Sequence, residues 1–185
     1  MDDIVKAALK KWPNVPDCYG WLALDARGDW YMRDDRIQAA GPFPKIKGSR
    51  IEHDKLREFI ERNYLCDAQG QWFFQNGPQR VYVELEAAPW VWRLSPVEAS
   101  ARSVTSHTGL AGQMMSAWLD ESGRLFLDTD LGFGLVHTLD MGWAADAVEA
   151  GRWRPEDAAF DSLAARFKFC LKPAPATASA PTHIR

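Results

Sequence analysis

The residues of this 185-residue chain that could do chemistry are four histidines, several acidic pairs and one basic loop. His107 lies between Ser106 and Thr108 and just before Gly109, a setting that suits either a turn residue or a base in a pocket. His137 follows Val136 in an apolar run, where a hydrogen-bonded, partly buried imidazole is the ordinary outcome. Glu84 with Glu86, and Asp128 with Asp130, stand two apart, so on a strand each pair shares a face and can hold a cation or divide acid and base roles. A solvated strand face accounts for them as well, and two carboxylates without a third ligand rarely specify a metal. The loop Lys45-Ile46-Lys47-Gly48-Ser49-Arg50 precedes a predicted helix. Its cations, its glycine and the helix amides behind them are what a phosphate site needs, although Glu52 competes for the same amides. Arg80, beyond the turn at Asn76-Gly77-Pro78-Gln79, offers a guanidinium fork at a sheet end. No G-x-S-x-G elbow, H-E-x-x-H helix, P-loop or dinucleotide fingerprint is present, so no catalytic residue, metal ligand or cofactor is assigned.

Composition narrows the classes further. Lys and Arg total 22 against 25 for Asp and Glu, which leaves no positive surface for a nucleic-acid backbone. The three cysteines, Cys18, Cys66 and Cys170, are odd in number and scattered, which suggests neither disulfides nor zinc and fits a reducing cytoplasm. No apolar run reaches the ~18 residues that span a bilayer, and Asp2, Asp3, Lys6, Lys10 and Lys11 interrupt the start, so neither a membrane partner nor a signal peptide is expected. At 46% apolar the chain can build a core. Nine tryptophans serve either as packing within sheets or as an aromatic-walled cleft for a planar ligand.

The elements that must position these residues show self-similarity. Asp25 to Tyr31, Asp67 to Phe73 and Asp120 to Phe126 share the form Asp-x-x-Gly-x-(Trp or Leu)-(Tyr or Phe), each after an apolar pair. An aspartate that accepts backbone amides and a glycine free to take positive φ make a hairpin turn, so bend geometry explains the recurrence without shared catalysis. Spacing predicts a helix over 3–12 ended by Pro13 and Pro16, and a second from a Ser49/Glu52 capping box to about Asn63. It further predicts a half-buried strand through Val81, Val83 and Leu85, with a bulge or edge at Pro89. Strands follow at 102–107 and 114–128, then a helix capped by Asp140 and a last one whose first turn holds Pro155. The expected fold is α+β, with duplicated hairpin-plus-helix units and antiparallel sheets. Its N-terminal half covers 1–63, its C-terminal half 64–171, and a disordered tail 172–185, which includes His183.

The order of motifs resembles a known family. Gly28-x-Trp30, the helix with Leu56 and Phe59, Gly70-Gln71-Trp72 and the run Arg80 to Val91 with its Ala88-Pro89-Trp90 are similar to the bacterial family called domain of unknown function 1285, over about residues 19–94. Where that family has Thr-Pro-x-Glu, this chain has Asn76-Gly77-Pro78-Gln79, which places it in that family or a sister group. The resemblance implies a domain duplication whose C-terminal half is like a pleckstrin-homology domain, with a nucleotide-like ligand between the halves and a signalling role. The expectation is therefore a non-enzymatic ligand-binding or regulatory module. Its candidate ligand residues are Lys47, Arg50, Arg80, Trp72, Trp90 and His107. A protein-interaction module with a protein partner, or a small hydrolase using His107, are the alternatives.

Overall fold

The recurring aspartate turns form as their chemistry requires. In each, one carboxylate oxygen accepts two backbone amides: Asp25 from Arg27 and Asp29, Asp67 from Gln69 and Gln71, Asp120 from Ser122 and Arg124, all between 2.8 and 3.0 Å. The glycine amide of each turn donates back to its aspartate carbonyl at 3.0–3.1 Å. Ser106 builds a fourth turn of the same form: its hydroxyl accepts the Leu110 amide at 3.0 Å, and Gly109 donates to its carbonyl at 2.9 Å.

The computed structural model describes residues 1–175. These turns organise two sheets. The first contains β1 (Cys18–Leu24), β2 (Trp30–Met32), β3 (Ser49–Arg50), β4 (Tyr64–Cys66), β5 (Trp72–Asn76) and β6 (Gln79–Leu85), in the spatial order β3-β2-β1-β6-β5-β4. Its central pair, β1 with β6, is parallel, with Leu22 opposite Val83 and Leu24 opposite Leu85, and the other pairs are antiparallel. Helices α1 (Asp3–Lys11), α2 (Asp35–Ala40) and α3 (Asp54–Arg62) belong to this half of the chain. The second sheet contains β7 (Trp90–Arg93), β8 (Ser103–Ser106), β9 (Ala111–Leu119), β10 (Leu125–Thr129), β11 (Gly132–Val136) and β12 (Glu156–Asp157). Its order is β10-β11-β7-β8-β9-β12, and β9 also pairs β10, so five strands close into a barrel. Helices α4 (Pro96–Ala101), α5 (Met141–Glu149) and α6 (Phe160–Arg166) accompany it.

The fold is α+β, but the sheets are mixed, not purely antiparallel: β7 runs parallel to β11 and β9 to β12, as β1 does to β6. A division at residue 63 cuts through the first sheet, because β4 to β6 complete it; the chain crosses to the second sheet at Ala87-Ala88-Pro89, where a bulge or edge was expected. The Ser49/Glu52 capping box does not form. Ser49 and Arg50 extend as β3 against Met32 and Tyr31, and α3 begins after His53, whose Nδ1 accepts the Leu56 amide at 3.3 Å. Pro155 precedes β12, not a helix, and α6 starts after Ala159. Of the expected tail, the part from residue 176 onward, including His183, lies outside the described residues.

One hydrophobic core runs through both sheets, with Leu24, Trp30 and Val83 from the first and Trp92, Phe126 and Leu127 from the second all fully buried. Two of the turn glycines fasten the halves. Gly70 (φ +78) lies so close to the backbone of Lys168 and Phe169 that a Cβ would collide with the Lys168 carbonyl, and its own carbonyl accepts the Cys170 amide at 3.0 Å. Gly28 (φ +83) leaves 2.7 Å between a would-be Cβ and that of His107. Gly123 has the same backbone conformation and nothing near it. Gly123→Ala should therefore lose only the ~1–2 kcal/mol of a left-handed alanine, while Gly70→Ala should lose at least about 2 kcal/mol more because the strand-to-segment contact must open. Urea denaturation of the two variants checks this, and equal losses would show that the close approach at Gly70 is not a fastening.

Candidate functional site

Where the sheets meet, aromatic rings from both converge. Tyr64 on β4 stacks obliquely on Trp72 on β5 at 4.7 Å and meets Trp30 on β2 edge-on at 5.2 Å. Trp90 on β7 approaches Trp72 at 5.4 Å and Tyr64 at 5.8 Å. His107, in the serine turn between β8 and β9, lies 5.7 Å from both Trp30 and Trp90. Trp72, Trp90 and His107, named from the sequence as ligand residues, are thus brought together, with each of the two sheets supplying part of the cluster.

The cluster concentrates unpaired donors. The His107 Nδ1 accepts the Val91 amide at 3.2 Å, so the neutral ring carries its proton on Nε2. That Nε2, Trp30 Nε1 and Trp90 Nε1 are three of the four buried side-chain polar atoms without a partner among the described residues. Burial holds the His107 imidazole down to about 3, far below its ordinary value. Among the described residues this enclosed ring has one nitrogen bonded to a backbone amide and no carboxylate in hydrogen-bond contact, the partner that a hydrolase using His107 would need.

Beside the cluster a cavity of about 430 Å³ opens, lined by Tyr64, Trp90, Thr108 and Leu110 and by the polar side chains of Asp2, Glu58, Glu61 and Arg62. The helix α3 presents Glu58, Glu61 and Arg62 there because Ile60 is its buried residue and turns the acidic flank outward. Arg62 is engaged by Asp2 at 3.4 Å and Glu58 at 3.9 Å. Glu61 is half-buried and forms no ion pair among the described residues. Burial pushes its carboxyl above the usual range, against the neighbouring Trp30 indole and the nearby Arg57 and Arg62 charges, which favour the carboxylate.

The cations named for phosphate have other work. Lys47 donates to Asp25 and Glu86, both at 2.9 Å, and Arg50 pairs with Asp29 at 2.7 Å. Against the opposing effect of burial, those bonds raise the Lys47 ammonium, and the Lys47 and amide bonds lower the Asp25 carboxyl. The Arg80 guanidinium lies over the Phe73 ring at 4.7 Å, away from the cavity lining. The basic loop thus enters a strand, with Lys47 bound to Asp25 and Glu86 and Arg50 to Asp29. The acidic pair is divided likewise: Glu84 forms a buried ion pair with Arg33 and Glu86 takes Lys47. Asp130 accepts the Gln113 amide at 2.8 Å. His137 is buried with its Nδ1 accepting the Leu139 amide at 3.1 Å, while Asp140 stands at the N-cap position of α5 as expected but spends its carboxylate on Arg93, at 2.6 and 3.2 Å, and not on a cap hydrogen bond. Among the described residues no three His, Cys, Asp or Glu side chains are grouped to hold a metal. Glu58, Glu61, Tyr64 and Trp30 went unnamed from the sequence as ligand residues; the polar flank of α3 beside the Tyr64 strand was the available signal.

Fold and seam together define an α+β protein of two docked sheets, one closed on itself, with an aromatic and acidic cleft at their junction. The chain belongs to the family described as "Protein of unknown function (DUF2946)", which it matches over residues 1–179. Two solved structures are similar to it. A DUF1285 family protein from Shewanella baltica OS155 shares 16% identity with a TM-score of 0.46, covering 69% of this chain and 91% of that one. A DUF1285 family protein from Silicibacter pomeroyi DSS-3 shares 11% identity with a TM-score of 0.47, covering 79% and 84%. Theirs is the family that the order of sequence motifs resembles. A search of the curated proteins gives no match.

The buried imidazole has a measurable consequence. Its affinity for a proton is lower folded than unfolded, so the unfolded chain binds the extra proton below about pH 6.5, and folding stability falls as pH drops through that value toward about 3. His107→Asn keeps an acceptor for the Val91 amide but does not titrate. Between pH 7 and pH 5 the wild type should lose roughly 2 kcal/mol relative to this variant, at about 1.4 kcal/mol per unit below the unfolded value. Parallel stability profiles in urea titrations would contradict the buried, neutral assignment.

Proposed function

We propose that the protein is a non-catalytic binding module that takes a small organic cation with a flat body in the cleft between its sheets. The carrying observation is Glu61, a half-buried carboxylate that forms no ion pair among the described residues, set beside Tyr64 and Trp90 in one cavity. A carboxylate left in this state favours a cationic partner, and aromatic walls add attraction for a cation or a stacked ring. The volume suits a metabolite-sized ligand. A nucleotide is the weaker candidate, because its phosphates would face Asp2, Glu58 and Glu61, while Lys47 and Arg50 are paired with carboxylates and Arg80 lies over the Phe73 ring.

A ligand in this cleft touches α3 and β4 of the first sheet and β7 and the serine turn of the second. It therefore binds the docked arrangement better than a loosened one, and that difference is the physical basis for a regulatory role. The three cysteines are free thiols, in keeping with a reducing cytoplasm, and no helix among the described residues is long and apolar enough to cross a membrane.

Isothermal titration of the full chain with phenethylamine and tryptamine, against adenosine monophosphate and a cyclic dinucleotide, tests the reading. The amines should bind, and Glu61→Gln should weaken them about tenfold, the loss expected for one partly desolvated charge contact. Silence from both amines with folded protein, or nucleotide binding indifferent to Glu61→Gln, would overturn it.

A further inference from the structure

A second cavity, of about 340 Å³, lies where the edge of β9 passes from its pairing with β8 to its pairing with β12. Arg102, Arg152 and Arg154 line it, with Met115, Ser116 and Glu156. None of these arginines joins an ion pair among the described residues, in a chain whose net charge is −3. We propose that this cavity is a binding site for a phosphate-bearing small molecule.

Each guanidinium comes from a fixed frame. Arg102 ends α4 at φ 54 and ψ 34, a left-handed conformation that favours glycine, yet it carries a long side chain there. Its carbonyl accepts the Met114 amide at 2.8 Å and its guanidinium donates to the Met115 carbonyl at 3.3 Å, which holds the group at the cavity wall with donors to spare. Arg152 and Arg154 flank Trp153, which is buried and donates its indole N–H to the Ala99 carbonyl at 3.0 Å. With Trp153 aimed inward, its two neighbours along the chain aim outward. The Ala147 carbonyl accepts the Arg152 amide at 2.9 Å and the Trp153 amide at 3.1 Å, so this backbone is anchored to α5. Trp153 also ties it to α4, the helix that Arg102 terminates.

Ser116 adds a directional donor. Its Oγ accepts the Trp118 indole N–H at 2.9 Å, which leaves its own hydroxyl proton free for an acceptor in the cavity. Three guanidinium groups and a hydroxyl donor match the several oxygens and double charge of a phosphate monoester or pyrophosphate better than the two oxygens of one carboxylate. Glu156 offsets one positive charge and leaves the lining net positive. The site stands apart from the acidic cleft at the seam, and its probes are anions, so either proposal can fail without the other.

Titration of the full chain with inorganic phosphate, pyrophosphate and phenyl phosphate, followed by thermal unfolding at ionic strength fixed with sodium chloride, is the test. At least one phosphate compound should raise the melting temperature saturably where chloride does not, and Arg152→Gln with Arg154→Gln, both surface changes, should weaken that response at least tenfold. A response to phenyl phosphate alone assigns the site to organic phosphates, and a response to all three assigns it to the phosphate group itself. Arg102→Gly should raise the melting temperature of the free protein by relieving the left-handed backbone while removing the phosphate-dependent rise. The proposal is overturned by a response equal to that of chloride, by an unchanged response in the double variant, or by destabilisation of free Arg102→Gly.

Discussion

The packing of the two sheets rests on backbones that come too close for side chains. At Gly70 the turn between β4 and β5 lies against the segment after α6, and at Gly28 the turn between β1 and β2 lies against His107. Because the aspartate turns hold these glycines rigidly, the halves have little freedom to slide. Rings from five different segments consequently meet in a fixed arrangement around Tyr64 and His107. The cleft is a by-product of that arrangement, with one wall from each sheet.

Electrostatics then separates structural charges from available ones. Arg33, Lys47, Arg93 and Arg124 each bind a carboxylate that is wholly or mostly enclosed, and breaking such a pair strands a buried charge. These pairs belong to the scaffold. Among the charges that form no ion pair in the described residues, Glu61 lies at the seam and Arg102, Arg152 and Arg154 gather beside β9. A chain with nearly balanced composition thereby carries two local sites of opposite sign, which net charge does not reveal.

Local chemistry was legible in the sequence and long-range pairing was not. The aspartate-glycine spacing identifies three turns, because the bonds involved lie within four residues of each other. The turn at Ser106 is readable only as one of two settings for His107, because a hydroxyl replaces the carboxylate, although the glycine stands at the same distance. Ser95, with Pro96 and Glu98 after it, carried a readable start signal for α4, which went unused. By contrast, the parallel pairing of β1 with β6 joins residues about sixty positions apart, and no periodicity marks it. The basic loop misled for the same reason: Asp25 and Glu86, its partners, are remote in sequence, so its cations looked free. Trp72, Trp90 and His107 meet across the seam, whereas Glu61 carries no signal of its own in the sequence, standing on a helix whose readable pattern is its apolar face.

The most direct test of the seam as a cation site is the indole N–H region of the ¹⁵N-correlated NMR spectrum during titration with phenethylamine. The resonances of Trp90, which lines the cleft, and of Trp30, which packs edge-on against Tyr64, should move in a saturable way. Those of Trp118 and Trp153, bonded to the Ser116 hydroxyl and the Ala99 carbonyl, should stay in place. An unchanged Trp90 signal, or equal movement of all four, would contradict the account.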